Sequence, residues 1–178
     1  MCGLSGELRR DGRAADVAAV ARMTGTMHDR GPDGSGVWSA GPVALGHRRL
    51  KVVDLTEHAA QPMVDSALGL TGVFNGMIYN YPALRRELEG LGHRFFSHGD
   101  TEVILKAYAE WGEDFVDRLL GMFAVVIVER DSGRVLMARG PAVTGRASGR
   151  AWSVLPLLPR YPHASTRPPP GLCQRCLR

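Results

Sequence analysis

Cys2 follows Met1 directly, and no other cysteine occurs before Cys173. Trimming of Met1 would leave one residue carrying both a thiol and a free α-amine. The thiol is a nucleophile, and an amine with an ordinary pKa of ~7.7–8.0 can relay its proton. The alternative is a buried thiol that merely follows Met1. Three further positions could complete a site for acyl-transfer chemistry. Asn75-Gly76 offers a side-chain amide beside a backbone N–H that a substrate can approach closely, as an oxyanion hole requires. The same dipeptide is also a strong signal for a type I′ hairpin turn. Arg49, within Gly46-His47-Arg48-Arg49-Leu50, could clamp a carboxylate bidentately or be a solvated strand charge. Asp100 could hold an ammonium group or cap the helix that it precedes. Arg30 and Asp33 suit fixing a loop better than chemistry. His28, His47, His58, His93 and His98 lack metal-ligand spacing and read as structural or exposed, so no metal site is expected.

These residues need a scaffold, and the bulk properties bound it. The chain has 178 residues, 44% of them hydrophobic, which is enough for one domain with a core. No run of 18 apolar residues exists to span a membrane, and the N-terminus lacks a secretory pattern, so a cytoplasmic protein is expected. The net charge of +4 is misleading. From Gly140 onward there are six arginines and no acidic residue, and the body before it carries 16 basic against 18 acidic residues. A basic tail on a slightly acidic body gives little support to nucleic-acid binding. The tail's Cys173 and Cys176 lack a second ligand pair for zinc.

Up to Arg139 the pattern is regular. Met1 to Leu8 reads as a strand. Asp16 caps a helix with Val17, Val20, Met23 and Met27 on one face. Arg30 to Gly34 is a loop, Val43 to Val53 a strand interrupted by Arg48-Arg49, and Leu68 to Phe74 a strand ending at Asn75-Gly76. Pro82 opens a helix with Leu84, Leu88 and Leu91, stopped by Gly92. His93 to Ser97 reads as a strand. Asp100 caps a helix through Val103, Ile104, Ala107, Tyr108 and Trp111, ending at Gly112. A short helix spans Phe115 to Leu120. Met122 to Val128 and Val135 to Ala138 form a hairpin around Arg130-Asp131-Ser132-Gly133. Strands in groups with interspersed helices favour an α+β layered architecture with antiparallel sheets.

After Arg139 the periodicity stops, and seven of the eleven prolines lie there. Residues 140–178 are therefore expected to be a disordered tail outside the family pattern, read here as out of frame relative to an ancestral gene.

Seven blocks occur in a telling order: Met1-Cys2-Gly3-Leu4, Arg30-Gly31-Pro32-Asp33-Gly34, Gly46-His47-Arg48-Arg49-Leu50, Gln61-Pro62-Met63, Asn75-Gly76-Met77-Ile78-Tyr79-Asn80-Tyr81, Asp100-Thr101-Glu102 and Gly121-Met122-Phe123-Ala124. Over residues 1–139 the chain resembles the class II glutamine amidotransferase domain of asparagine synthetase-like proteins, closest to the N-acetylglutaminylglutamine amidotransferase subgroup. The resemblance implies a four-layer αββα sandwich of the N-terminal-nucleophile (Ntn) hydrolase type. It implies that Cys2 attacks the side-chain amide of glutamine, with Asn75 and the Gly76 N–H as oxyanion donors. Arg49 would bind the substrate carboxylate and Asp100 its ammonium. Met77 stands where asparagine synthetases carry a glutamate that helps bind the amine. The resemblance also implies a synthetase half, with its ATP and magnesium, that follows the domain in the family. The pattern breaks off at Gly140, so no cofactor is expected in this chain, and the last strands of the sandwich are expected to be incomplete. A glutaminase half-reaction is the leading expectation, with a separate synthetase chain or a homodimer as partner. A non-catalytic relic is one rival, and an ammonia-supplying subunit that docks on a separate synthetase is another.

Overall fold

A computed structural model of the chain describes residues 2–140, and 151–156 as backbone only. Two antiparallel sheets face each other. The first contains β1 (Gly3–Leu8), β2 (Gly34–Ala40) and β3 (Val43–Arg49), with β3 central. The second runs β4 (Met63–Asp65), β5 (Leu70–Ile78), β6 (Gly121–Glu129), β7 (Arg134–Arg139), β8 (Ala151–Pro156), in that spatial order. Period-two alternation divides their side chains between faces. Val43 and Leu45 of β3 meet Val73, Val128 and Val135 of the second sheet in a core between the sheets. Ala44 faces the other way, onto α1 (Val17–Thr26), with Val20 and Ala15. Phe74, Val125, Ile127 and Leu136 leave the second sheet on its far side to pack against α2 (Tyr81–Gly90), α3 (Asp100–Trp111) and α4 (Phe115–Arg118). Three apolar layers separate four structural ones, so the fold is the αββα sandwich of the Ntn-hydrolase type.

Asp16 caps α1 as expected, its carboxylate accepting from Ala19 N at 2.9 Å. The inward face differs from the expected one. Val20 and Thr24 are buried, while Val17 and Met23 are exposed. The cause lies across the interface, where a Cβ on Gly46 would overlap the Thr24 hydroxyl. A glycine on β3 lets the helix approach closely. The Thr24 hydroxyl is satisfied there by the Val20 carbonyl at 2.7 Å and Ser5 Oγ at 2.8 Å.

Helix α3 is buried continuously from Asp100 to Tyr108, so its charges need internal partners. The Lys106 ammonium lies 2.9 Å from Asp65 and 3.4 Å from Glu102. Glu102 also accepts from Phe96 N, Ser97 N and the Ser97 hydroxyl. That explains why His93 to Ser97 is not the expected strand. The Phe96 and Ser97 donors are engaged by a helix side chain and His93 N by the Leu88 carbonyl, so these need no neighbouring strand.

From sequence, regular structure is expected to end at Arg139. Ala151–Pro156 nevertheless pair along the whole of β7, from Arg139↔Ala151 to Arg134↔Pro156. Pro156 stands at the end of the outermost strand, where a missing N–H leaves no ladder bond unmade. The other expectations for the tail, including those for Cys173 and Cys176, lie outside the described residues. Among the described residues, no helix is long and apolar enough to cross a membrane.

Candidate active site

Cys2 sits at the entry of β1, beside the exit of β3. Its Sγ accepts from Leu50 N at 3.3 Å and lies 3.7 Å from the Leu50 carbonyl. The thiol is partly buried and unbridged. Arg30 Nε donates to the Cys2 carbonyl at 3.2 Å. Asp33 grips the other side of the β3 exit, through Asp33 N to Arg49 O at 3.0 Å and Lys51 N to Asp33 Oδ2 at 2.9 Å. The Arg30–Gly34 loop thus fixes the two chain ends that carry Cys2 and Arg49.

Arg49 is buried, not solvated. Its guanidinium donates to the Thr56 carbonyl at 2.8 Å and to the Asp54 carbonyl. Two of five donors are used, and the rest remain for a carboxylate. Asp54 was not singled out from sequence, yet it joins two parts of the site. One carboxylate oxygen accepts from Thr56 N and Oγ1 at 2.8 and 2.7 Å, and the other accepts from His98 N at 2.8 Å, two residues before Asp100. Burial works against its charge, but the Thr56 hydroxyl, the His98 and Thr56 N–H groups and the Arg49 guanidinium outweigh it and hold the carboxyl at about 2. The sequence signal for this role was Asp54-x-Thr56, an Asx turn.

Asn75-Gly76 is not a turn. β5 runs through it to Ile78, with Asn75 opposite Ala124 and Gly76 opposite Phe123. Gly76 has φ +152°, and a Cβ there would overlap the Met122 carbonyl, so only glycine fits. Asn75 shares a strand face with Val73, which lies in the core between the sheets, so it faces the sheet that carries Cys2. Among the described residues no group bonds its amide. Met77 is half-exposed on the same face.

The backbone groups of β5 alternate between its two edges. Gly140 N donates to Phe123 O at 2.9 Å, so Phe123 directs its main-chain groups toward β7. Its register partner Gly76 therefore directs its own groups away from β6, toward the β4 side. β4 reaches only as far as Met63↔Gly72. Beyond it, side chains serve the edge. Phe74 N donates to Gln61 Oε1 at 2.6 Å, His47 Nε2 donates to Phe74 O at 3.0 Å, and Ile78 N donates to Asp100 Oδ2 at 3.3 Å. The Gly76 N–H lies between these served positions, and neither β4 nor β6 covers it.

Asp100 is buried at the first turn of α3. Gly99 takes the cap position, and the Asp100 carboxylate accepts from Ile78 N at 3.3 Å. Its carboxylate has no cationic partner among the described residues. Burial raises its pKa, against the Ile78, Asp100 and Thr101 N–H groups that favour the charge.

His47 is fully enclosed between the sheets. Burial, assisted by the Arg49 charge and opposed by the bond to Phe74 O, depresses it to about 4 from 6.5. Between those values the unfolded chain binds more protons than the folded one. Stability is therefore full above pH 6.5 and drains away as pH falls toward 4, by up to about 3 kcal/mol. Asp100, with its raised pKa, opposes this, because the folded carboxyl takes up its proton at a higher pH than the unfolded one. Urea unfolding at a series of pH values should show the loss in the native chain and a flatter profile in His47→Gln. Equal profiles would mean that His47 is not buried neutral.

A family model described as a glutamine amidotransferase domain matches residues 1–142. The chain belongs to the glutamine amidotransferase domain family. This amidotransferase domain is 41% identical over 142 residues to the glutamine-hydrolysing asparagine synthetase 3 of Bacillus subtilis strain 168, covering 78% of the chain and 23% of the relative. It is 35% identical over 140 residues to asparagine synthetase 1 of Arabidopsis thaliana, covering 78% and 24%. The chain thus spans about a quarter of the length of these curated relatives, and the domain is of the asparagine synthetase type. The solved structure of glutamine phosphoribosylpyrophosphate amidotransferase from B. subtilis matches with a TM-score of 0.63 at 18% identity, over 76% of this chain and 36% of that one. At that identity the match concerns the fold alone.

Proposed function

We propose that the domain hydrolyses glutamine to glutamate and ammonia, with Cys2 as nucleophile. The observation that carries this reading is the pairing of a buried, counter-ion-free Asp100 carboxylate with the uncovered Gly76 N–H two residues before Ile78, the residue that Asp100 contacts. An α-ammonium and a developing oxyanion would find their partners side by side. Removal of Met1 would free the Cys2 amine. That amine takes the thiol proton as sulfur attacks the side-chain amide carbon. The carbonyl electrons move onto oxygen, between the Asn75 amide and the Gly76 N–H. When the intermediate collapses, the C–N bond breaks and the relayed proton leaves with ammonia. Water then adds to the thioester, glutamate departs and the thiol regains its proton. Arg49 holds the substrate carboxylate through its unused donors, and Asp100 holds the ammonium.

The finer assignment is the N-acetylglutaminylglutamine amidotransferase subgroup. It is supported by the uncharged Met77 at the position where the resembled asparagine synthetases have glutamate. Asp100 then carries the ammonium alone. The ammonia passes to a synthetase site outside residues 1–142. Asp100→Asn should raise KM for glutamine by roughly 10–100-fold, the worth of a charge-assisted hydrogen bond, with a smaller effect on kcat. Steady-state glutamate release measures both parameters. An unchanged KM would remove Asp100 from the substrate site.

A further inference from the structure

The edge of β5 raises a question that the reaction does not answer. Phe74 has both main-chain groups on the side that β4 leaves uncovered, and both are met by side chains from distant segments. Gln61 Oε1 takes the N–H, and the His47 ring, reaching across from the other sheet, donates to the carbonyl. Gln61 is itself held from α3 by Thr101 Oγ1 at 3.2 Å, and a Cβ on Gly36 would overlap its carbonyl, so its loop is clamped against β2. His47 uses its one ring proton on this bond, since its Nδ1 is buried without a partner. A core position that needed only bulk would not take an imidazole with an orphaned nitrogen, which carries a penalty on the order of 1–3 kcal/mol.

We infer that His47 and Gln61 are positioning residues of the oxyanion hole: by closing both main-chain groups of Phe74, they fix β5 against the Cys2-bearing sheet and leave the Gly76 N–H as the next edge donor for substrate. The inference rests on the glutaminase reading above. Asn75 immediately follows the pinned residue, and Gly76 is the next position whose main-chain groups face the same edge. His47 lies on β3, two residues before Arg49 and opposite Leu4 of β1, so the cross-sheet bond ties the nucleophile's sheet to the oxyanion strand directly. The expected signature is on the chemical step, because Arg49 and Asp100 hold substrate through other contacts.

The test uses the full chain with His47→Phe, which keeps the volume without the donor, and His47→Gln, which returns an amide donor near the Nε2 position. His47→Phe should lower kcat by roughly 10–100-fold, as displacements of about an ångström do, with KM for glutamine within about twofold. His47→Gln should recover most of the rate. Amide hydrogen exchange at Asn75 and Gly76 should accelerate in the Phe variant and return toward native rates in the Gln variant. Should His47→Phe fail to fold, Gln61→Met removes the acceptor on Phe74 N and carries the same expectations. An unchanged kcat, a rise in KM alone, or no rescue by Gln would overturn the assignment. A native chain that hydrolyses no glutamine would sink the glutaminase reading instead, and the exchange rates would then decide the positioning claim, with unchanged exchange at Asn75 and Gly76 overturning it.

Discussion

Cys2→Ala is expected to abolish glutamine hydrolysis, with kcat falling by more than about 10⁴-fold, as when the nucleophile of an acyl-transfer enzyme is removed. No other described cysteine exists to replace it, and the step that splits one barrier into two disappears with the sulfur. The fold should be indifferent. The thiol's recorded partners are the Leu50 N–H and carbonyl at 3.3 and 3.7 Å, both weak sulfur contacts, so the urea midpoint should shift by less than about 1 kcal/mol equivalent. Loss of activity together with a retained unfolding midpoint separates a missing nucleophile from a misfolded chain. Retained turnover in Cys2→Ala would remove the cysteine from the mechanism.

Asn75→Ala should lower kcat by ~10²–10³-fold with little change in KM, because one oxyanion donor contributes ~2.7–4 kcal/mol to the barrier and nothing to the ground state. Stability should barely move, because the Asn75 amide has no partner among the described residues and the backbone pairing with Ala124 survives the change. Since β5 passes straight through Asn75-Gly76, the turn explanation for this dipeptide is gone. A rate loss can therefore be read as chemistry, not as a broken hairpin. Stopped-time glutamate assays at saturating and at low glutamine give kcat and kcat/KM, and an unchanged kcat would leave the oxyanion role to Gly76 and another donor.

The parts of this domain that were legible in the sequence are those whose signal is local. Asp16 before an apolar helix, Gly112 at its φ of +56°, and the hairpin of β6 and β7 around Arg130 to Gly133 all follow from short-range rules. What escaped is settled by partners far away in the chain. His93 to Ser97 has strand-like residues, but the Phe96 and Ser97 donors go to Glu102. Asp100 looks like a cap residue, yet its carboxylate turns to Ile78 N. Val17 and Met23 fit a helical stripe, but the contact that fixes α1 is Thr24 over Gly46. Asn75-Gly76 carried two local meanings, and the pairing of β5 with β6 removes the turn. Arg49 could be read as solvated or as a clamp, and its burial against the Asp54 and Thr56 carbonyls supports the clamp. Gln61 and His47 carried no chemistry on inspection, because each serves a main-chain group of Phe74 that is open only once β4 stops short, and Asp54 acts through the distant N–H of His98.

In the proposed reaction, substrate reaches Cys2 and is held there by Arg49 and Asp100. A glutamine-mimicking electrophile should therefore label the purified 178-residue chain once, and peptide mass analysis should place the label on Cys2 with Met1 removed. Free glutamine should protect against labelling, and Arg49→Ala or Asp100→Asn should slow it while a small neutral alkylating agent reacts at an undiminished rate. Labelling at another residue, full labelling of Cys2→Ala, or labelling that glutamine does not suppress would contradict the assignment.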